Sequence, residues 1–381
     1  MNFDLTEDQR ILQKTVRAFC ASAIIPAAQK WDAEERFPHE VIGPMGEMGL
    51  FGMLVPEAYG GAGMKVLDFI VALEEVARAD GSVGLTMASH NSLCVGHILL
   101  AGNEAQKKKY LPSLAAARML GAWGLTEPGS GSDAGAARTR AVRRGDRWGL
   151  SGTKTFITQG SIAGTYVILA STSPDKRQRG LTAFIVEKGT PGFRAGKRIE
   201  KLGLHASDTT EVLLEDVEVP DEQRLGDVDH GFQDTLRILD KGRIGIGAWA
   251  VGIGRGALEA SVAYAKQRVQ FGKPIAQFQA IQHMVADMAT ELDAARLLVW
   301  RAAAMQDQGL ATTRESSVAK YYAARASVRA CNVAIQIHGG YGYTREFNVE
   351  RYLRDAKLAE IGEGTNEVQK MVIAREILRA P

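Results

Sequence analysis

The sequence predicts an α+β multidomain chain: an N-terminal α-helical domain over residues 1–118, a middle antiparallel β domain over 119–226 and a C-terminal four-helix bundle over 227–381. Three observations carry this. A length of 381 residues is too long for one ordinary core and suits two or three domains. The hydrophobic period is helical to about Ala117, shortens to that of strands between about Trp123 and Leu225, and is helical again after Gly231. Gly, Ser, Pro and Asp separate the short β-branched and aromatic runs of the middle region without intervening helices, which favours antiparallel strands over βαβ units.

The elements follow in order. Thr6 is a candidate N-cap, with Glu7 and Asp8 in the first turn where the helix dipole favours acids. Pro26, Pro38, Pro44 and the turn Tyr59-Gly60-Gly61-Ala62-Gly63 punctuate the helices that follow. In the middle region Thr153, Thr155 and Ile157 alternate with Lys154, Phe156 and Thr158, and the runs 166–170, 181–186 and 212–214 read as further strands. In the last third, Met284, Met288, Leu292, Ala295, Val299 and Ala302 form one apolar stripe. Thr313 to His338 reads as a long helix closed by Gly339-Gly340 in the left-handed C-cap conformation, and helices beginning near Gly231 and Thr365 complete the bundle. The helix from Gly231 carries small residues on more than one side (Gly245, Gly247, Ala248, Ala250, Gly252, Gly254, Gly256), which predicts contact with a partner subunit.

Composition excludes several functions. With 46 Lys+Arg against 44 Asp+Glu, the net charge of +2 provides no field for a polyanion, so nucleic-acid binding is not expected. Cys20, Cys94 and Cys331 are far apart and show no CxxC spacing, so neither a disulfide framework nor a metal site is expected. The polar, acidic start lacks the pattern of a signal peptide, and no apolar run reaches the ~20 residues of a membrane span. A cytoplasmic protein without membrane insertion is the expectation.

Glycine motifs bear on chemistry unequally. Gly252-Ile253-Gly254-Arg255-Gly256-Ala257 matches the GxGxxA dinucleotide fingerprint but lies inside a helical pattern after no strand, so close helix packing is the better reading. The run Gly124 to Gly135 gathers backbone N–H groups and hydroxyls in a loop at the head of the β region, as a pyrophosphate, a flavin edge or a thioester would need; alone, it would read as a surface loop. In Ile361-Gly362-Glu363-Gly364-Thr365 one carboxylate stands between glycines just before a helix. Desolvation there would suit Glu363 to general-base work, although on this motif alone an acid favoured by the helix dipole is the plainer reading. No GxSxG or HExxH occurs, and His338 is best read as a helix-end residue.

Seven segments in order resemble the acyl-CoA dehydrogenase family along essentially the whole chain: 55–61 (VPEAYGG), 125–133 (LTEPGSGSD), 154–158 (KTFIT), Arg268 with 271–275 (FGKPI), 278–282 (FQAIQ), 336–342 (QIHGGYG) and 363–367 (EGTNE). The resemblance implies FAD-dependent α,β-dehydrogenation of an acyl-CoA to the trans-2-enoyl-CoA. Glu363 would be the catalytic base, and its N–H, with a flavin ribityl hydroxyl, would hold the thioester oxygen. Relatives that carry the base on the helix opening the bundle have it at the position of Gly242, which cannot serve. Similarity places Trp123, Gly124, Leu125, Thr126 and Ser132 around the FAD, with Phe156, Ile157 and Thr158 from the β domain and Thr365 and Glu367 of the same subunit. Arg268, Gln279, Gln336, Ile337, His338, Gly339 and Gly340 would contact the FAD of a neighbouring subunit, so that a homo-oligomer, usually a tetramer, is implied. Ser132, Phe232, Asp240 and Arg243 match acyl-CoA contacts, the last two near its nucleotide part. Electron-transfer flavoprotein is the implied acceptor. Gly362 replaces a common aromatic residue, and 85–93 (LTMASHNSL) looks most like short-chain and branched-chain members, so a short or branched acyl group is expected. An oxygen-using relative, an oxidase or flavin monooxygenase, is the alternative. The chain length and the presence of Glu363 speak against it.

Overall fold

The computed structural model describes residues 4–379. Thr6 caps α1 (Glu7–Phe19): its Oγ1 accepts the Gln9 N–H at 3.2 Å while the Gln9 side chain accepts the Thr6 N–H at 3.1 Å. A π turn over Cys20–Ile24 joins α1 to α2 (Ile25–Ala33), with the Ile25 N–H reaching back to the Cys20 carbonyl. Pro26, lacking an N–H, stands at the start of α2 where the missing donor disturbs the ladder least. Then come α3 (His39–Glu47), α4 (Val66–Ala79), α5 (Gly81–Ser89), a second π turn over His90–Val95, α6 (Gly96–Ala101) and α7 (Glu104–Ala115).

The middle region is an eight-stranded sheet of β1 (Gly121–Gly124), β2 (Arg140–Arg144), β3 (Arg147–Thr158), β4 (Thr165–Ser171), β5 (Leu181–Glu187), β6 (Phe193–Arg198), β7 (Thr209–Pro220) and β8 (Arg224–Leu225). Its order is β6-β7-β3-β2-β4-β5-β8, with β1 alongside β4. Most pairings are antiparallel as expected, but β1 runs parallel to β4, and β2 meets β4 in parallel at Arg140 and Ser171. The β2–β3 hairpin lies between β1 and β4 in sequence and supplies the long crossover that a parallel pair requires. The expected alternation in β3 also fails locally. The register with β7 shifts between Lys154 and Ile157, Lys154 and Thr155 are both buried, and Phe156 turns outward at φ 57°. This irregularity re-aims one side chain, a common use of a bulge.

The last third contains α8 (Gly231–Gln267), the short strands β9 (Val269–Gln270) and β10 (Lys273–Pro274), α9 (Gln279–Asp307), α10 (Thr313–His338), α11 (Val349–Ala356) and α12 (Asn366–Arg379). The bundle is formed by α8, α9, α10 and α12, and the short α11 was not legible in the sequence. Met288, Leu292, Ala295, Val299 and Ala302 of the α9 stripe are buried, while Met284 is half-buried at its edge. After α10, Gly339 has φ 61° and ψ −135°, a positive-φ conformation outside the expected left-handed helical well and open essentially to glycine.

The small residues of α8 require a correction. They pack within the chain: a Cβ at Gly252 would meet the Glu74 carbonyl of α4 at 2.5 Å, one at Gly254 Leu292 of α9 at 2.5 Å, and one at Gly247 Val299 at 2.9 Å. Both faces of α8 are thus occupied by its own neighbours, and these glycines give no argument for a partner subunit; the close-packing reading of the GxGxxA run agrees with the same contacts. The Trp249 indole N–H donates to the Gly81 carbonyl at 2.7 Å, and Gly231 lies against the backbone of Thr182 and Ala183. Through these contacts α8 links helices, sheet and bundle. No helix among the described residues is long and apolar enough to cross a membrane.

Candidate active site

Glu363 lies in the turn between α11 and α12. Its backbone has φ 51° and the next residue, Gly364, has φ 92°. Gly364 takes such a φ freely, whereas Glu363 needs outside support to hold it. The Gln369 side chain of α12 donates to the carbonyls of Glu363 (3.2 Å) and Gly364 (2.9 Å), and the Lys320 ammonium of α10 donates to the Gly364 carbonyl at 2.7 Å. The loop is fixed by its carbonyls, and the carboxylate is left free.

That carboxylate faces α8. A Cβ on Gly242 would collide with Glu363 Oε2 and stand 3.0 Å from its carboxyl carbon, so the absent side chain makes the room. Oε2 is buried and has no hydrogen-bond partner. Burial pushes the carboxyl up to about 7, against the opposing pull of Arg243 and then Lys320. Arg243, expected beside a nucleotide, is only 5 % exposed; it donates to Asp240 at 2.8 Å, and its charge acts on Glu363. Asp240 is half-buried and also accepts from the Thr313 hydroxyl at 2.6 Å. One turn further along α8, a Cβ at Gly245 would stand 3.2 Å from the Ser92 hydroxyl, which brings the π turn at 90–95 to the same face. Phe232 is half-buried at the opening of α8.

The second group stands at the head of the sheet. The Lys154 ammonium, wholly buried, donates to the Leu125 carbonyl at 3.1 Å and to the Glu127 carboxylate at 2.7 Å, and the Thr155 N–H donates to Thr126 O at 2.9 Å. Glu127 also accepts the N–H groups of Arg138 (2.6 Å) and Thr139 (2.9 Å). These bonds brace the segment that follows Trp123 and Gly124, whose indole N–H is itself held by His97 at 3.0 Å. Lys154→Met should strand Glu127 without its counter-charge and lower stability by about 3 kcal/mol, measured by urea unfolding. Around this brace, Phe156 is 64 % exposed, and the hydroxyls of Thr126, Ser132 and Thr158 have no hydrogen-bond partner among the described residues. Ile157, between Phe156 and Thr158, is buried and anchors the bulge.

The third group is remote from the first. Arg268 follows α8, roughly 38 Å along that helix from Gly242 at 1.5 Å per residue. There the Arg268 guanidinium lies 5.4 Å from the Tyr341 ring centroid, and His338 stacks on Tyr264 with centroids 4.2 Å apart. Gln336, Gly339 and Gly340 are exposed, Ile337 is buried, and Gln279 opens α9 exposed. Thr365 belongs to the first group: its hydroxyl accepts the Val368 N–H at 3.3 Å at the head of α12, beside the exposed Glu367. A cleft of about 710 Å³, lined among others by His39, Lys109, Arg118 and Lys188, shares no residue with any of the three groups.

Sequence reasoning missed Lys320, Gln369, Lys154 and His97 as supports. Lys320 had a signal: it is a lysine within the small-residue face Ser316, Ala319, Ala323, Ala324 and Ser327, all buried. Gln369 and His97 had none, because each works through a contact that only the tertiary fold creates.

Three family models match in order: the N-terminal domain of acyl-CoA dehydrogenase at residues 6–118, the middle domain at 122–217 and the C-terminal domain at 229–378. The short-chain specific acyl-CoA dehydrogenase of Clostridium acetobutylicum is 45% identical over 379 residues, covering 100% of both chains. Among solved structures, butyryl-CoA dehydrogenase from Megasphaera elsdenii superposes with a TM-score of 0.98 at 42% identity, with full coverage of both chains. A chain from the structure described as "Electron transferring flavoprotein of Acidaminococcus fermentans: Towards a mechanism of flavin-based electron bifurcation" superposes with a TM-score of 0.98 at 44% identity, also with full coverage of both. With all three domain models matched in order along its length, and with relatives this similar from end to end, the chain belongs to the acyl-CoA dehydrogenase family.

Proposed function

We propose that the chain dehydrogenates a short straight or branched acyl-CoA between its α and β carbons, with Glu363 as the base that takes the α-proton. The observation that carries this reading is the Glu363 carboxylate itself, buried, unpartnered at Oε2 and held up at about 7. A carboxylate in that state is a base poised for neutral pH.

A thioester α-proton is a weak acid, so its removal needs a desolvated base and donors at the carbonyl oxygen. The Glu363 N–H has no hydrogen-bond partner among the described residues, and it is the donor the loop offers to the thioester oxygen. As the α C–H bond breaks, its proton passes to the Glu363 carboxylate and its electron pair shifts toward the thioester carbonyl. Arg243 and Lys320 balance the charge of the base before the transfer. FAD is the cofactor of this family and, when bound, supplies the hydride-accepting chemistry for the β-hydrogen. The second group fits it: an exposed aromatic ring at Phe156 and three uncommitted hydroxyls surround a braced loop. Trp123 to Thr126, Ser132 and Phe156 to Thr158 would hold it, with Thr365 and Glu367. Arg268, Gln279 and Gln336 to Gly340, distant along the bundle, would serve the FAD of a neighbouring copy in a homotetramer.

The substrate reading is supported by the names of the relatives, short-chain specific and butyryl-CoA dehydrogenase. In this chain Leu358 stands 3.6 Å from where a Gly362 Cβ would be, so a neighbour occupies part of the space left by the absent side chain. Electron-transfer flavoprotein as acceptor is supported by the likeness to the Acidaminococcus fermentans structure. The test is an anaerobic titration of FAD-loaded protein with butyryl-CoA, isovaleryl-CoA and octanoyl-CoA, followed by flavin absorbance. Rapid bleaching by a short or branched thioester is expected. No bleaching with any of them would overturn the function, and fastest bleaching with octanoyl-CoA would overturn the substrate class.

A further inference from the structure

We propose that Lys320 is a positioning residue for the base: its buried ammonium pins the Gly364 carbonyl and places beside Glu363 a positive charge that is held in no ion pair. This rests on the reading of Glu363 as the base. Lys320 is wholly buried on α10, yet among the described residues it has no salt-bridge partner. A buried lysine without a paired carboxylate is costly, and such groups persist where they serve a site. Its hydrogen-bond acceptor is the Gly364 carbonyl, in the peptide that follows the base.

The charges around it come from every neighbouring element. Arg243 faces it from α8, Glu360 from the turn after α11, Glu363 from the loop and Glu367 from α12. Arg243 is engaged by Asp240 and also senses Arg375 of α12, so its charge is shared. Lys320 forms no such ion pair; Glu360 and Glu367 also feel its charge, after Glu363. Burial presses it down to about 8, which leaves it protonated at neutral pH. The same ammonium therefore performs two tasks. Its hydrogen bond supports the left-handed Glu363–Gly364 backbone, and its field favours the ionised form of a carboxylate that has no donor at Oε2.

The experiment measures α-proton exchange in D2O with the FAD-loaded enzyme and 3-thiabutyryl-CoA, whose β-sulfur leaves no hydride to transfer. The rate is followed against pH for the unsubstituted chain, Lys320→Met, Lys320→Gln, Lys320→Arg and Glu363→Gln. Lys320→Met should move the acid limb of exchange upward by about one pH unit, roughly a tenfold loss of rate on that limb. Lys320→Arg should restore the limb. Lys320→Gln, which keeps a donor for Gly364 without the charge, should shift the limb as Met does while holding a higher plateau. An unmoved limb in Lys320→Met overturns the proposal, as does a lower plateau alone, which a purely structural lysine would give. Should the Met variant not fold, the limb of the Gln variant decides in the same way. Exchange that survives in Glu363→Gln would overturn the base assignment itself, separately from Lys320.

Discussion

Glu363→Gln should retain FAD and bind acyl-CoA while losing turnover by about a thousandfold or more, within the range a positioned general base contributes. The substitution keeps shape and volume. It sacrifices no hydrogen bond to Oε2, because that oxygen has none. Stopped-flow flavin bleaching, with acyl-CoA affinity measured separately, distinguishes lost chemistry from lost binding, and near-normal bleaching would remove Glu363 from the role. The pH profile follows from the same environment. With the carboxyl held at about 7 by burial, Glu363 is protonated below that pH and, as the proposed base, idle there, so kcat/KM should fall about tenfold per pH unit on the acid side. The stability consequence has a definite sign. Between its ordinary value of 4.5 and about 7, the folded carboxyl keeps a proton that the unfolded chain has released, so this group's contribution is fully present below 4.5 and lost as pH rises through 7. Glu363→Gln removes that loss, and its melting temperature should vary less with pH across this window.

How much of this was legible in the sequence depends on whether a signal is local. Thr6 as N-cap and the α9 stripe were both legible, the first from a residue beside its helix and the second from its period, and both are in the structure, with Met284 at the stripe's half-buried edge. The motif around Glu363 is local, but alone it read as an acid favoured by the helix dipole, and only the family resemblance singled the residue out as a base. Its supports were not legible, since Lys320 lies 44 residues from the Gly364 carbonyl it binds, and Glu363's facing residue, Gly242, is a whole bundle away in the chain. Phe156 was legible as a residue type but not as an outward-facing one, because the register shift in β3 depends on pairing with β7. The small residues of α8 misled for a related reason. Composition shows that a helix can be approached closely, not by what, and here α4, α9 and α10 make the approach.

Gly242→Ala should separate activity from stability. In the interior of α8, alanine is favoured over glycine by about 1 kcal/mol, since it costs less backbone entropy. The position is buried, so this gain survives only if the neighbours can yield. The three atoms nearest a new Cβ can yield: they are Glu363 Oε2, its Cδ at 3.0 Å and its Oε1 at 3.3 Å, the mobile end of one side chain. The backbone of that residue stays pinned by Gln369, and that of Gly364 by Lys320, so the adjustment falls on the carboxylate alone. A displacement of about 1 Å in a catalytic group costs on the order of a hundredfold in rate. The expected result is a melting temperature equal to or above that of the unsubstituted chain, unchanged FAD content, and kcat lower by about a hundredfold. Unimpaired kcat would show that the carboxylate works from another rotamer, and an unfolded variant would show that the loop, not the side chain, meets α8.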